Sequence, residues 1–231
     1  MKFRVFRFNP DEDKKPCFKS YDVPVKPGMT VLDGLWHILE KLDGSIAFRS
    51  SCRAGVCGSC AMHINGTYRL ACETQLKDLK ENEVVIRPLS ELKVIKDLVV
   101  DMEPFWKKYK YIKPYLMPAT AEPDKERLQT QEERRRLDGL IECILCGCCS
   151  FSCPVSGTDE EYSGPAAFIQ ANRFVRDSRD NGGRERLALV DGEDGVWRCH
   201  TVFNCTRVCP KDIDPAGSIA NLKRKSFGGE R

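Results

Sequence analysis

The sequence predicts an α+β fold in two parts, on three observations. The first residues alternate apolar and polar side chains, as half-buried strands do, and lead into one amphipathic helix. The later residues place apolar side chains at helical spacing between cysteine runs. The cysteines, 13 in 231 residues, fall in one group early in the chain and two groups late. The predicted parts are residues 1–100 and 101–231.

Composition narrows the classes. The net charge of +3 is too small to argue for nucleic acid, and no nucleic-acid partner is expected. Apolar and charged fractions of 41% and 31% are those of an ordinary globular chain. No apolar run reaches the roughly 18 residues that a membrane-crossing helix needs. Met1-Lys2-Phe3-Arg4-Val5 has no apolar signal core and reads as a strand. Disulfides would need an oxidising compartment that no export signal supports. The odd cysteine count and tight spacings point to metal ligation in a reducing, cytoplasmic setting.

Lys2 to Phe8 alternates with one phase slip and is predicted as a strand. Asn9 to Lys15 is a polar loop. Tyr21, Val23 and Val25 mark a second strand, broken at Pro27-Gly28. Thr30 opens a helix, with Asp33 three residues on as a capping box. Val31, Leu35, Leu39 and Leu42 give it an apolar stripe, and Gly44 ends it. Asn65-Gly66 predicts a hairpin turn, and Glu83 to Arg87 a closing strand.

Between helix and hairpin lies Ser51-Cys52-Arg53-Ala54-Gly55-Val56-Cys57-Gly58-Ser59-Cys60. The spacing Cys52-x4-Cys57-x2-Cys60, with Cys72 as a distant fourth, is the plant-type [2Fe–2S] arrangement. Small residues let the backbone close on inorganic sulfide, and glycine tolerates the required dihedrals. The N–H groups then face negative sulfur. A zinc loop is the alternative, but zinc sites usually pair two Cys-x2-4-Cys units, and here Cys72 stands alone with no second pair.

Pro88 to Asp101 joins the two parts. Glu103 to Gln129 is expected to be an ordered connection, with Phe105, Trp106, Tyr109, Tyr111 and Tyr115 seeking burial. Glu132-Glu133-Arg134-Arg135-Arg136 reads as a solvated helix face. Gly164-Pro165 opens a helix striped by Phe168, Ala171 and Val175. Asp214-Pro215 opens the last helix, whose Lys223, Arg224 and Lys225 suit its C-terminal dipole.

Cys143-x2-Cys146-x2-Cys149-x3-Cys153-Pro154 is the bacterial ferredoxin run, whose fourth cysteine serves a second cluster. The second run is Cys199-x5-Cys205-x3-Cys209-Pro210, with Val202 in the slot where a cysteine would complete it. Sharing ligands by that template assigns Cys143, Cys146, Cys149 and Cys209 to a [4Fe–4S] cluster. Cys153, Cys199 and Cys205 then hold a cluster with one corner lacking a thiolate. [3Fe–4S] is its natural form, and [4Fe–4S] with an open iron the alternative. Cys17 and Cys148 remain, and both are expected to be small buried residues.

These motifs in this order resemble the iron–sulfur subunits of succinate dehydrogenase and fumarate reductase, over essentially the whole chain. Ser51 to Met62, Cys143 to Pro154 and Arg198 to Lys211 are similar to the three family signatures, and Ile95 to Asp101 to its inter-domain segment. The resemblance implies a plant-type ferredoxin (β-grasp) domain followed by an all-helical, bacterial-ferredoxin-like domain. It implies [2Fe–2S], [4Fe–4S] and [3Fe–4S] cofactors that relay electrons between a flavoprotein subunit carrying FAD and a quinone at a membrane anchor. The chain would be an oxidoreductase subunit of the tricarboxylic acid cycle, peripheral on the cytoplasmic face of a prokaryotic membrane, with no catalytic residue of its own for the dicarboxylate chemistry.

The resemblance also places Pro154, His200 and Val202 at quinone-lining positions. His200 has a second reading, as a hydrogen-bonding neighbour that tunes the cluster. Thr158 departs from the tryptophan carried there by many ubiquinone-reducing members, which leaves a menaquinone in view. A related subunit serving a soluble or thiol partner is the redox alternative, and a structural zinc protein the non-redox one.

Overall fold

Strand β1 (Lys2–Arg7) begins the chain and pairs on both sides. It runs antiparallel to β2 (Cys17–Asp22) and parallel to β5 (Glu83–Arg87). The hairpin of β3 (Ala61–Ile64) and β4 (Thr67–Leu70) completes a mixed sheet in the order β2-β1-β5-β3-β4. This computed structural model describes residues 1–79, 82–118 and 123–228. They divide into two compact units, Met1–Met102 with Ile144–Phe151, and Glu103–Cys143 with Ser152–Arg231. Residues 144–151, placed with the C-terminal part by sequence, thus group with the first unit.

The alternation in β1 sends Phe3 and Val5 into the core, both with no exposure. The hairpin turn has φ +44° at Asn65 and +80° at Gly66, the left-handed pair that a two-residue hairpin demands. Val25, expected in the second strand, lies beyond its end and is half exposed. A short pair, β6 (Val94–Lys96) and β7 (Val99–Val100), closes the main stretch of the unit.

Helix α1 (Val31–His37) starts at the capping box read from sequence: Thr30 Oγ1 accepts from Asp33 N, and the Asp33 carboxylate accepts from Thr30 N. The expected stripe fails after Leu35. Residues Ile38–Leu42 widen into a π turn, which advances the buried face. Ile38 becomes fully buried and Leu42 is half exposed.

A polar network anchors the segment after that turn. Asp97, at φ +49°, is buried, and its Oδ1 accepts from Arg7 Nε at 2.9 Å and from Phe8 N at 3.0 Å. Its Oδ2 accepts from Ala47 N at 2.9 Å. Arg7 also reaches Asp43 Oδ2 at 2.7 Å, an oxygen shared with Lys19 and Tyr21.

Among the described residues the second unit is helical. It comprises α2 (Glu103–Tyr111), α3 (Gln131–Arg135), α5 (Pro154–Thr158), α6 (Pro165–Val175), α7 (Gly183–Val190), α8 (Asn204–Arg207) and α9 (Pro215–Gly228), while α4 (Cys148–Phe151) belongs to the first unit. Helix α6 is the centre, buried along nearly its whole length and packed against α2, α7 and α9. Gly164 at φ +84° turns the chain into it, and Pro165 takes the first helical position. Asp214 Oδ1 accepts from Gly217 N at 3.0 Å and caps α9.

Helix α2 buries Phe105, and the turn after it buries Ile112, so Tyr111 and Tyr115 stay exposed, contrary to expectation. Residues Gln131–Arg135 form the solvated helix expected of their charge, capped by Thr130. The fully buried Arg186 guanidinium meets Asp180, also without exposure, and donates to the carbonyl oxygens of Lys113 and Tyr115. It thereby ties the chain leaving α2 to α7.

Candidate functional site: three groups of cysteines

None of the thirteen cysteines forms a disulfide. Cys148 is fully buried, as expected, but Cys17 lies on edge strand β2 and is exposed.

In the first group, Cys60 and Cys72 are buried while Cys52 and Cys57 face outward. Two backbone bonds dock the buried pair. Ala71 N donates to Cys60 O, and Leu32 N, at the start of α1, donates to Ala71 O, both at 3.0 Å. The loop between them folds its N–H groups onto sulfur. Ala54, Val56 and Cys57 donate to Cys52 Sγ at 3.4, 3.3 and 3.3 Å, and Gly55 donates to Cys72 Sγ at 3.3 Å. The reversal needs positive φ at Arg53 (+58°), Gly55 (+66°) and Gly58 (+72°). Arg53 tolerates it with its guanidinium laid over Trp36, 4.8 Å from the ring centroid.

Successive amides aimed at sulfur make an anion nest. The Ser59 hydroxyl, then the Cys52 N–H, hold the Cys57 thiol down at about 6, whereas burial pushes the Cys60 thiol up to about 12. Among the described residues no three Cys, His, Asp or Glu side chains converge on a single-ion position. The hydrogen bonds place amide donors on the sulfurs of Cys52, Cys57 and Cys72. That chemistry fits a cluster of irons and sulfides, whose charge would keep even Cys60 deprotonated.

In the second group, Cys146 and Cys149 belong to the first unit, and Cys143 and Cys209 to the second. Leu145 at φ +52° and Gly147 at φ +82° curl the run before α4. A methyl at Gly58 would stand 2.9 Å from the Cα and Cβ of Cys146, so glycine lets the first two cysteine loops touch within this unit. The Cys148 side chain draws the Cys146 thiol below its usual value despite burial. Cys209 closes the turn after α8, donating its N–H to Thr206 O.

The third group is gathered on one pocket, and all its lining lies in the second unit. Cys153, Cys199 and Cys205 line it together with Pro154, His200 and Val202. Cys153 immediately precedes α5, with Pro154 at the first helical position. Cys199 follows the short turn Val196–Arg198, and Cys205 sits within α8. Thr201 (φ +56°) and Phe203 (φ +64°) bend the intervening loop, and Thr201 N donates to Cys199 Sγ at 3.4 Å. Val202 and His200 are exposed at the rim.

Two contacts bind the pocket's walls. Arg198 Nε donates to Asp159 Oδ2 at 3.0 Å, and Asn204 Nδ2 donates to Ser152 O at 3.2 Å. Thr158 turns its hydroxyl onto Pro154 O in its own helix. Burial holds the Cys205 thiol above its usual value. Three thiols beside an aliphatic side chain fit a cluster with one corner unligated by sulfur.

Sequence reasoning missed one residue here. Tyr162 lines this pocket with no exposure. Burial first, then the thiols of Cys199, Cys153 and Cys205, raise its phenol above the usual range. Its place just before Gly164-Pro165 carries no spacing signal.

Comparisons with known proteins match both parts of the chain. A family model described as a 2Fe-2S iron–sulfur cluster binding domain matches residues 2–107, and one described as a 4Fe-4S dicluster domain matches residues 139–213. The chain is 45% identical over 231 residues to the mitochondrial succinate dehydrogenase [ubiquinone] iron–sulfur subunit of Dictyostelium discoideum, covering 96% of this chain and 80% of that protein. It is 46% identical over 226 residues to the succinate dehydrogenase iron–sulfur subunit of Coxiella burnetii, covering 96% and 95%. Among solved structures, a chain of the Mycobacterium smegmatis Sdh1 complex in the apo form superposes with a TM-score of 0.89 at 29% identity, over 99% of this chain and 96% of that one.

Proposed function

The chain belongs to the family of succinate dehydrogenase iron–sulfur subunits, and on that premise we propose the roles of its residues in electron transfer between a flavoprotein subunit and membrane quinone. Cys52, Cys57, Cys60 and Cys72 hold the [2Fe–2S] cluster, with the amides of residues 54–57 compensating its charge. Cys143, Cys146, Cys149 and Cys209 hold the [4Fe–4S] cluster. Cys153, Cys199 and Cys205 hold [3Fe–4S], because Val202 occupies the slot of a fourth thiolate. When bound, such clusters take up and release single electrons. The chain's own work is to fix their ligands and tune their potentials by burial and hydrogen bonding.

The succinate site and its FAD belong to the flavoprotein partner in this reading. Pro154, His200 and Val202 face the quinone, with His200 the polar group at the rim. No helix among the described residues is long and apolar enough to cross a membrane. Attachment is therefore assigned to an anchor subunit, with the chain peripheral at the cytoplasmic face of a prokaryotic membrane.

The observation that carries this reading is the convergence of Cys153, Cys199 and Cys205 on one pocket with Val202 in its lining. Its test is EPR of the purified complex with Cys205→Ala. The three-iron signal and quinone reduction should disappear while the [2Fe–2S] signal stays. Quinone turnover that outlives the lost cluster would show that electrons take another route.

A further inference from the structure

We propose that the Tyr162 phenol donates a hydrogen bond to the cluster held by Cys153, Cys199 and Cys205 and raises its reduction potential. This rests on the three-thiol assignment above. The Tyr162 side chain has no solvent exposure, and its buried hydroxyl has no hydrogen-bond partner. A buried hydroxyl without a partner calls for an explanation, because burial strips it of water. Packing supplies none. The ring meets Phe168 edge to face at 5.4 Å, a contact that phenylalanine would make equally well.

The oxygen is explained by the chemistry it faces. Tyr162 lines the same pocket as the three thiols, Cys153, Cys199 and Cys205. Cysteine thiolate and inorganic sulfide accept hydrogen bonds, and a phenol donates one. The residue is also held in place. Tyr162 N donates to Asp159 Oδ1 at 3.2 Å, and the other oxygen of Asp159 is bound to Arg198, the neighbour of Cys199. The wall carrying the phenol and the wall carrying Cys199 are thus pinned together. Tyr162 is in this sense a positioning and tuning residue. Adding an electron makes the cluster more negative, and a fixed donor stabilises that state more than the oxidised one.

The test is a redox titration by EPR of the whole complex carrying Tyr162→Phe. The midpoint of the three-iron signal should fall, with the other two signals unmoved and thermal stability retained. A purely structural role predicts no such selective shift. Biosynthetic replacement of tyrosine by 3-fluorotyrosine, a stronger donor, should raise the same midpoint and covers the case in which the Phe variant loses its cluster. A three-iron signal that stays at one potential through these substitutions overturns this inference alone. A wild-type complex without that signal overturns the three-thiol assignment and this inference with it.

Discussion

Arg7 Nε and Asp97 Oδ1 meet at 2.9 Å within the first unit, 90 residues apart in sequence. Their side chains are only 14% and 2% exposed, so the pair is desolvated. Removing one partner of such a pair costs about 3–5 kcal/mol when the other charge is left buried and alone. Arg7 keeps Asp43 at 2.7 Å, so the cost here is that of the buried donors Asp97 serves, about 1–3 kcal/mol for a group left unpaired. Asp97→Ala also strips Phe8 N and Ala47 N of their acceptor. We expect a stability loss of that size, read as a lower denaturant midpoint, and a weaker [2Fe–2S] signal because Ala47 leads into the Cys52 loop.

Asp43 sets a pH dependence. Burial pushes its carboxyl up, but hydrogen bonds from Lys19, Ser45 and Tyr21 outweigh burial and hold it well below the usual carboxylate range. A carboxylate depressed in the folded state adds stability that is complete above its unfolded value, about 3.9. That increment is lost as pH falls from there through the folded value. Asp43→Asn should lower stability at neutral pH and flatten its decline below about pH 4. Parallel stability-against-pH curves for variant and parent would remove Asp43 from the acid response.

Gly58→Ala tests the contact between the first two cysteine loops. Its methyl would meet backbone and side-chain carbon of Cys146 at 2.9 Å, from a φ of +72° that alanine adopts poorly. Both the [2Fe–2S] and the [4Fe–4S] signals should diminish, with the three-iron signal less affected. Quantified EPR with iron and sulfide analysis measures this. A variant with full occupancy at both sites would mean that the loops separate at no cost.

Val202→Cys restores a thiol to the empty slot of the second run. The three-iron signal should give way to a [4Fe–4S] signal at lower potential, and quinone reduction should slow. An unchanged spectrum from folded protein would mean that position 202 does not face the cluster.

Local chemistry was readable from the sequence wherever one residue's neighbours decide the outcome. Thr30 with Asp33, Asn65-Gly66, Gly164-Pro165 and Asp214-Pro215 each mark a boundary that the structure keeps. The ligand-like spacing at Cys153, Cys199 and Cys205 was legible because it is itself a pattern. What escaped depended on partners far along the chain. The π turn at Ile38–Leu42 shifts the helix phase by an insertion that an ideal period does not contain. Tyr111 is exposed because Phe105 and Ile112 already fill the inner side of their segment. Arg186 and Tyr162 look like surface or aromatic filler until α6 and its neighbours enclose them.

The membership of Ile144–Phe151 in the first unit bears on biosynthesis. Strand β1 leaves the ribosome well before its parallel partner β5, and α4, which packs on β4, emerges later still. The first unit therefore cannot finish assembling while its own stretch of message is being read. A chain ending at residue 102 would lack α4 and leave bare the part of β4 that α4 covers.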